Sequence, residues 1–313
     1  MSTADAFGGR VVVVGSANMD VTAQVPVLPE PGQTLLAKDV AFRPGGKGAN
    51  QAVAACRAGA ETDLYAAVGA DSFGRLLRDA LRDNGVGLDH LVEAGRETTG
   101  LALVAVAADA ENTIIVAPGA NFALTAADVR ELAVRAGDVV LLQLEISVPT
   151  AVAAATAARG AGARVVLNAA PLSAADALGD LLTTVDVLVV NETEARALAS
   201  VPPPADPVGW IDVAAGLRRL GPAAVVVTLG GDGAVGYDAD GGWHRPAVPA
   251  AVVDTTGAGD AFCGALVAAL AAGRTLRRAV HRGCVAGAVA TERYGAQTAP
   301  TRDELDERTG DET

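Results

Sequence analysis

Asp186-Val187-Leu188-Val189-Val190-Asn191-Glu192-Thr193-Glu194-Ala195-Arg196-Ala197-Leu198-Ala199 carries two conformational instructions in one short stretch. After Asp186, four residues are apolar without alternation and β-branched at three positions, as expected of a strand covered on both faces. The rest opens on an asparagine with glutamate three residues later, the pattern of a capping box, and continues with good helix formers. A strand that passes directly into a helix is half of a βαβ unit.

The same rhythm extends in both directions. Strands are predicted at Val11–Val14, Asp63–Val68, Asp138–Leu144, Arg164–Leu167, Asp186–Val190 and Ala223–Leu229. Helices are predicted at Lys47–Ala58, Phe73–Asn84, Thr150–Arg159, Glu192–Ala199, Trp210–Leu220, Gly259–Ala272 and Leu276–Glu292. The alternation implies an α/β fold, a mainly parallel sheet flanked by helices on both faces. Two segments depart from it. Asp20–Val27 alternates polar and apolar residues, and Leu101–Ala107 with Thr113–Val116 reads as a hairpin around Asp109–Asn112. Alternation fits a sheet wet on one side, so these form a small β-sheet lid on a single domain spanning 1–313, its strands inserted at about 18–43 and 99–117. Val201–Pro207 reads as a surface loop, and the charged stretch 302–313 as frayed or a short helix.

Composition narrows the function. Half of the 313 residues are hydrophobic and only 3% aromatic, so the core rests on many small alanine and valine contacts. A net charge of −13 excludes the broad positive field of a nucleic-acid binder. No apolar run is long enough to span a bilayer, and residues 1–10 lack the layout of a secretion signal, so a cytoplasmic location and no membrane partner are expected. Cys56, Cys263 and Cys284 lack metal-ligand spacing and read as buried thiols of a reducing compartment.

Ligands of a parallel α/β sheet bind beyond the carboxyl ends of its strands. Gly15, Asn18, Asp20, Glu145, Asn168, Asn191, Glu194 and the Thr228–Gly233 run all fall there. The sharpest motif is Asp254-Thr255-Thr256-Gly257-Ala258-Gly259-Asp260, leading into an almost wholly apolar helix. Glycines admit a ligand close to the backbone, and the free amides of a first helical turn suit an anion. Asp260 is then either a helix cap or a general base facing a hydroxyl. Pro44-Gly45-Gly46-Lys47-Gly48-Ala49-Asn50-Gln51 is not a P-loop, because Ala41 and Gly48 occupy the places of its first glycine and its hydroxyl residue. Its amides, Lys47 and Asn50 suit a polyhydroxylated ligand instead, or it is an ordinary glycine-rich helix entry. Asn191 and Glu194 serve as a cap, a role compatible with orienting metal-bound water. Gly231-Asp232-Gly233-Ala234-Val235-Gly236 matches the dinucleotide glycine pattern, but a hairpin-like stretch with Gly241-Gly242 follows where a helix is required.

Taken together, the chain resembles the PfkB-type, or ribokinase-type, carbohydrate kinases over about residues 10–300. The resemblance rests on Gly15-Ser16-Ala17-Asn18-Met19-Asp20, the Gly45–Ala52 run, Pro118-Gly119-Ala120-Asn121, the Asn191–Glu194 run, Thr228-Leu229-Gly230 and the Asp254–Asp260 motif. It implies ATP-dependent phosphorylation of a sugar, with D-ribose at O5 favoured by the glycine run and the N-terminal Asn-x-Asp. The alternatives are deoxyribose, fructose or a nucleoside such as adenosine, or a sugar sensor without catalysis.

The resemblance also implies roles. Asn18, Asp20, Gly46, Lys47, Gly48, Asn50 and Glu145 would hold the sugar, and Asp260 would take its proton. Gly257, Ala258 and Gly259 would form the anion hole. Asn191 and Thr228, Leu229, Gly230, Gly231, Asp232 and Gly233, with Gly259, would line the ATP site. Glu194 would act on Mg²⁺ through water, and Asp254, Thr256, Ala290, Arg293 and Gly295 would hold K⁺, mostly by main chain. Ala299 stands where relatives often offer a serine hydroxyl, with Thr298 or water as substitute, and Cys284 where an Asn or His often borders the adenine. A homodimer through the lid is also implied.

Overall fold

The structure is a computed structural model that describes residues 8–107, 109, 111–173 and 178–310. The polar residues 1–7, Ala110 of the expected hairpin turn and the last three residues of the charged C-terminal stretch lie outside the described residues.

Each predicted strand is present, within three residues of its expected bounds: β1 (Val11–Val14), β4 (Thr62–Gly69), β8 (Val139–Leu142), β9 (Arg164–Asn168), β10 (Val187–Asn191) and β11 (Ala224–Thr228). All are parallel. Three further strands complete a nine-stranded sheet: β5 (Leu91–Ala94) at one edge and the antiparallel pair β12 (Ala234–Asp238) and β13 (Gly241–Arg245) at the other. Periodicity misses β5 because four residues of mixed polarity hold no pattern. The sheet order is β13-β12-β11-β10-β9-β8-β1-β4-β5.

Two apolar clusters cover its faces. On one side Val12, Val14, Val140 and Leu142 pack against α3 (Val148–Gly160), α5 (Glu192–Ala199) and α6 (Trp210–Arg218). On the other, Val11, Val13, Val139 and Leu141 meet α1 (Lys47–Arg57), α2 (Ser72–Asp83), α7 (Ala258–Ala271) and α8 (Leu276–Thr291). Consecutive residues of one strand thus feed opposite cores, which is why the strands read as unbroken apolar runs. Twelve of the fourteen residues of α7 are buried, so its first turn is held rigidly. The short α4 (Gly179–Leu182) and the terminal α9 (Arg302–Thr309) complete the helices of the described residues.

The lid is a four-stranded sheet in the order β3-β2-β6-β7, from β2 (Asn18–Gln24), β3 (Asp39–Gly45), β6 (Gly100–Val106) and β7 (Asn112–Ala117). Two expectations need correction. Strand β2 shows no clean wet-and-dry alternation beyond Met19: both faces are half-covered, one by the body, where Val21 packs on the core, and one by the cleft below Asp20. Cys56 is only partly buried, because it lies in the last turn of α1; Cys263 and Cys284 are buried as expected. No helix among the described residues is long and apolar enough to cross a membrane.

Candidate active site

Strand β1 ends at Val14, and the chain turns at Gly15 to enter β2, whose first residue, Asn18, bonds Glu145 beyond the end of β8. Strand β3, paired with β2, then runs into α1 with no intervening loop: Asn18 lies opposite Gly45, and Lys47 is the first helical residue. Gly46 makes that corner at φ +88°, where a Cβ would stand 2.6 Å from the Asn18 amide nitrogen, so only glycine fits.

A polar cluster forms at this corner. Glu145 Oε2 accepts from the Ser16 hydroxyl, the Lys47 amide (3.1 Å) and the Asn18 side chain (3.4 Å). Asn121 donates to Asn18 Oδ1 (2.6 Å) and accepts from the Ala17 amide (2.9 Å). Asn18 is therefore buried within a network that orients it. Asp20 lies over Gly45, where a Cβ would stand 2.2 Å from the carboxylate. Burial, together with the charges of Glu145 and Asp260, pushes the Asp20 carboxyl up to about 7. A carboxyl under that pressure is relieved by hydroxyl donors, the chemistry of a sugar.

Asp260, on the first turn of α7, is 7% exposed. Its Oδ1 accepts from Gln51 Nε2 (2.8 Å) and its Oδ2 from Asn50 Nδ2 (3.1 Å), both on α1. Lys47 lies nearby. Burial works against its charge, but Asp260, Glu145 and Glu194 outweigh that and hold the ammonium above its ordinary range. A cavity of about 130 Å³ brings together Lys47, Asn191, Glu194, Thr228, Gly257, Gly259 and Asp260, from five elements far apart in sequence. Gly257 opens α7 at φ +75° with a would-be Cβ 2.3 Å from the Ala296 carbonyl, so the turn requires glycine. The Ala258 amide turns back to the Thr255 carbonyl (3.2 Å), because the motif closes a tight turn there. The Ala258 amide, expected in an anion hole with those of Gly257 and Gly259, is thus engaged within the turn.

A second cleft of about 540 Å³ adjoins the first. Thr228, Gly230, Gly231 and Gly233 line it, with Val248, Phe262 and Cys284. Leu229 and Asp232, expected there, do not: Leu229 is 4% exposed and packs into the core, and the Asp232 carbonyl accepts from His244 Nε2 (2.9 Å). Asn191 lines the smaller cavity only. It caps α5 as expected, and both halves of the capping box are made at 2.9 Å. Burial raises the Glu194 carboxyl, against the opposing pull of the Asn191 amide and Lys47.

On the far side of Gly257, Asp254 accepts from the Thr256 and Gly295 amides, each at 2.9 Å. These bonds outweigh burial and hold its carboxyl below the usual range. The Thr298 hydroxyl lies 3.2 Å from the Ala290 carbonyl oxygen and 3.1 Å from that of Gly295, so the two oxygens converge on one point. Ala299 is buried and offers no side-chain oxygen, whereas its neighbour Thr298 does.

The sequence reading missed Gln51 and Gln143 as site residues, although both are wholly buried. Gln51 stands inside the quoted glycine run, and a buried-facing glutamine on a helix otherwise lined with alanine was the available signal.

Comparison with known proteins identifies the family. The family model described as pfkB family carbohydrate kinase matches residues 9–303. The chain is 37% identical over 300 residues to a ribokinase of Haemophilus influenzae, covering 94% of this chain and 96% of that protein. Its fold superposes on Arabidopsis thaliana ribokinase complexed with ribose and ATP at a TM-score of 0.87, with 32% identity over 96% of this chain and 98% of that one. Ribokinase from Cryptococcus neoformans in complex with ADP gives a TM-score of 0.83, with 32% identity over 96% and 99% of the two chains. The chain belongs to the pfkB family of carbohydrate kinases.

Proposed function

We propose that this protein transfers the γ-phosphoryl group of ATP to O5 of D-ribose, giving ribose 5-phosphate and ADP. The observation that carries this is the position of Asp260. It is a buried carboxylate held by two amides, between a polar corner built for hydroxyls and a cleft large enough for a nucleotide. Asp20, Asn18, Glu145 and the Gly46–Asn50 turn hold the sugar. The Asp260 carboxylate takes the O5 proton as O5 bonds to the γ-phosphorus, and the bond from that phosphorus to the β–γ bridging oxygen breaks to release ADP. The Gly257 and Gly259 amides, at the positive end of α7, face the charge that builds on the transferred group. Lys47 adds a point charge. The lid over the sugar keeps water from competing as acceptor.

The residues present suit two cations. Glu194 offers one buried carboxylate beside the smaller cavity, as suits Mg²⁺ that retains water and phosphate oxygens. The convergent carbonyls of Ala290 and Gly295, with Asp254 and the main chain of Thr256 and Arg293, form an all-oxygen set fit for K⁺, and Thr298 supplies the hydroxyl that Ala299 lacks. When bound, these ions would neutralise phosphate charge and stiffen the anion-hole loop.

Three features support further parts of this reading. The lid and body share the corner at Gly46 and one site, consistent with a single domain over 1–313. The lid exposes Val40, Phe42, Leu103, Ile114 and Ile115, an apolar surface that pairing of two lids would cover. Free thiols fit a cytoplasmic location. The test is ADP release with Mg-ATP and ribose, 2-deoxyribose, fructose or adenosine, with and without K⁺. Ribose-dependent turnover is expected, and Asp260→Asn loses about 10²–10⁴-fold in kcat. Near-wild-type turnover in that variant refutes the base assignment, and turnover only with another acceptor refutes the substrate.

A further inference from the structure

Behind Asp260 lies a chain of buried side-chain amides. Gln51, in the second turn of α1, is wholly buried. Its Nε2 donates to Asp260 Oδ1 (2.8 Å) and to Asn168 Oδ1 (3.0 Å), so both of its hydrogens are used. Its Oε1 accepts from Gln143 Nε2 at 2.6 Å. Gln143, the residue after β8, is also wholly buried, and its own Oε1 has no hydrogen-bond partner.

That unpartnered oxygen is the informative atom. A buried carbonyl without a donor costs stability, and an apolar side chain of the same length would avoid the cost. Space is also surrendered for it: a Cβ at Gly15 would stand 1.9 Å from Gln143 Oε1, so residue 15 must lack a side chain. What Gln143 contributes in return is one donor, aimed at Gln51. An amide can turn end for end with little change in shape. Asp260 and the Asn168 oxygen only accept, so Gln51 meets them with its NH₂ end, and the Gln143 donor on its carbonyl locks that orientation against a flip. The neighbouring Asn50 is steered in the same way, by Gln297 Nε2 on its Oδ1 (3.2 Å), and delivers its NH₂ to the other carboxylate oxygen.

We propose that Gln51 is a positioning residue for Asp260 and that Gln143 sets which end of Gln51 faces the carboxylate. Two donors from consecutive residues of one helix stop the carboxylate from rotating and leave a lone pair on each oxygen for the sugar hydroxyl. Misplacement of a reacting group by about 1 Å can cost on the order of 10²-fold in rate. The inference rests on Asp260 acting as the general base, as proposed above.

The test compares Gln143→Met, Gln51→Met, the double variant and Asp260→Asn, by steady-state kinetics with ribose and Mg-ATP and by urea unfolding. Gln143→Met is expected to lower kcat about tenfold, with both KM values within about threefold, while the unfolding midpoint holds or rises because the stranded carbonyl is gone. Gln51→Met is expected to lower kcat by about 30- to 100-fold, and adding Gln143→Met to it to cost nothing more, since Gln143 acts through Gln51. A wild-type kcat in Gln143→Met, a kcat loss there accompanied by an equal loss of stability, or multiplicative effects in the double variant would each overturn the proposal. If Gln51→Met does not fold, Gln143→Met decides alone. Asp260→Asn separates the two levels. If it is inactive while both glutamine variants turn over normally, only the positioning role falls; if it turns over normally, the base assignment falls and the positioning role with it.

Discussion

Replacing Asp20 by asparagine should stabilise the ligand-free protein, and more so as the pH rises. The Asp20 carboxyl is displaced from its ordinary 3.8 to about 7, first by burial and then by the charges of Glu145 and Asp260. A carboxyl whose pKa is raised by folding supports stability in full below 3.8, while it is protonated in both states. That support is lost as the pH rises through about 7, because the unfolded chain ionises first. The displacement corresponds to about 4 kcal/mol lost by pH 8 and about 2 kcal/mol lost by pH 5, relative to the acid limit. Asparagine fills the same space, keeps hydrogen-bonding capacity and does not titrate. The stability difference between Asp20→Asn and wild type should therefore grow by about 2 to 3 kcal/mol from pH 5 to pH 8. Urea unfolding at pH 5, 6, 7 and 8, without sugar or nucleotide and followed by far-UV circular dichroism, measures it directly. A difference constant to within about 0.5 kcal/mol over that range would refute the account of Asp20 as a strained carboxyl. The same variant should lose sugar affinity, because the group that destabilises the empty site is the one that accepts the sugar's hydroxyls.

Two other perturbations test the nucleotide side. Gly257→Ala places a Cβ 2.3 Å from the Ala296 carbonyl in a residue at φ +75°, so turnover should fall by at least about tenfold even where the protein still folds; a folded variant with wild-type kcat would show that the turn is not required. Asn191→Ala removes the side-chain half of a completed capping box, leaving the backbone amide of residue 191 to Glu194, and should cost about 1 kcal/mol in urea unfolding together with a raised KM for Mg-ATP. A stability loss without any change in KM would assign Asn191 to capping alone.

Much of the architecture was legible along the chain because the physics that writes it is local. Unbroken apolar runs in β1, β8, β10 and β11 record burial on both faces, and the cap at Asn191 records where β10 yields to α5. Strand β5, of four residues, carries no such record and is defined by its parallel pairing with β4. The β12–β13 hairpin left a trace only at Gly241-Gly242. The glycines at 46 and 257 were visible as motif members. That each is compulsory follows from atoms distant in sequence, the Asn18 amide and the Ala296 carbonyl.

The sequence by itself determined the fold class, the family and most of the polar residues at the strand ends, because periodicity, capping and motif order are properties of neighbouring residues. The tertiary structure alone decided how those residues divide the work. Asn18 proves to be held by Asn121 and Glu145, Leu229 belongs to the core, and Ala258 has its amide turned back on Thr255. Asp260 is held by Asn50 and Gln51, and behind them stands Gln143, 92 residues along the chain from Gln51. The reason is geometric: a hydrogen bond is settled within about 3 Å and a few tens of degrees, and packing α1 against β8 and α7 sets that distance between residues that no local pattern connects.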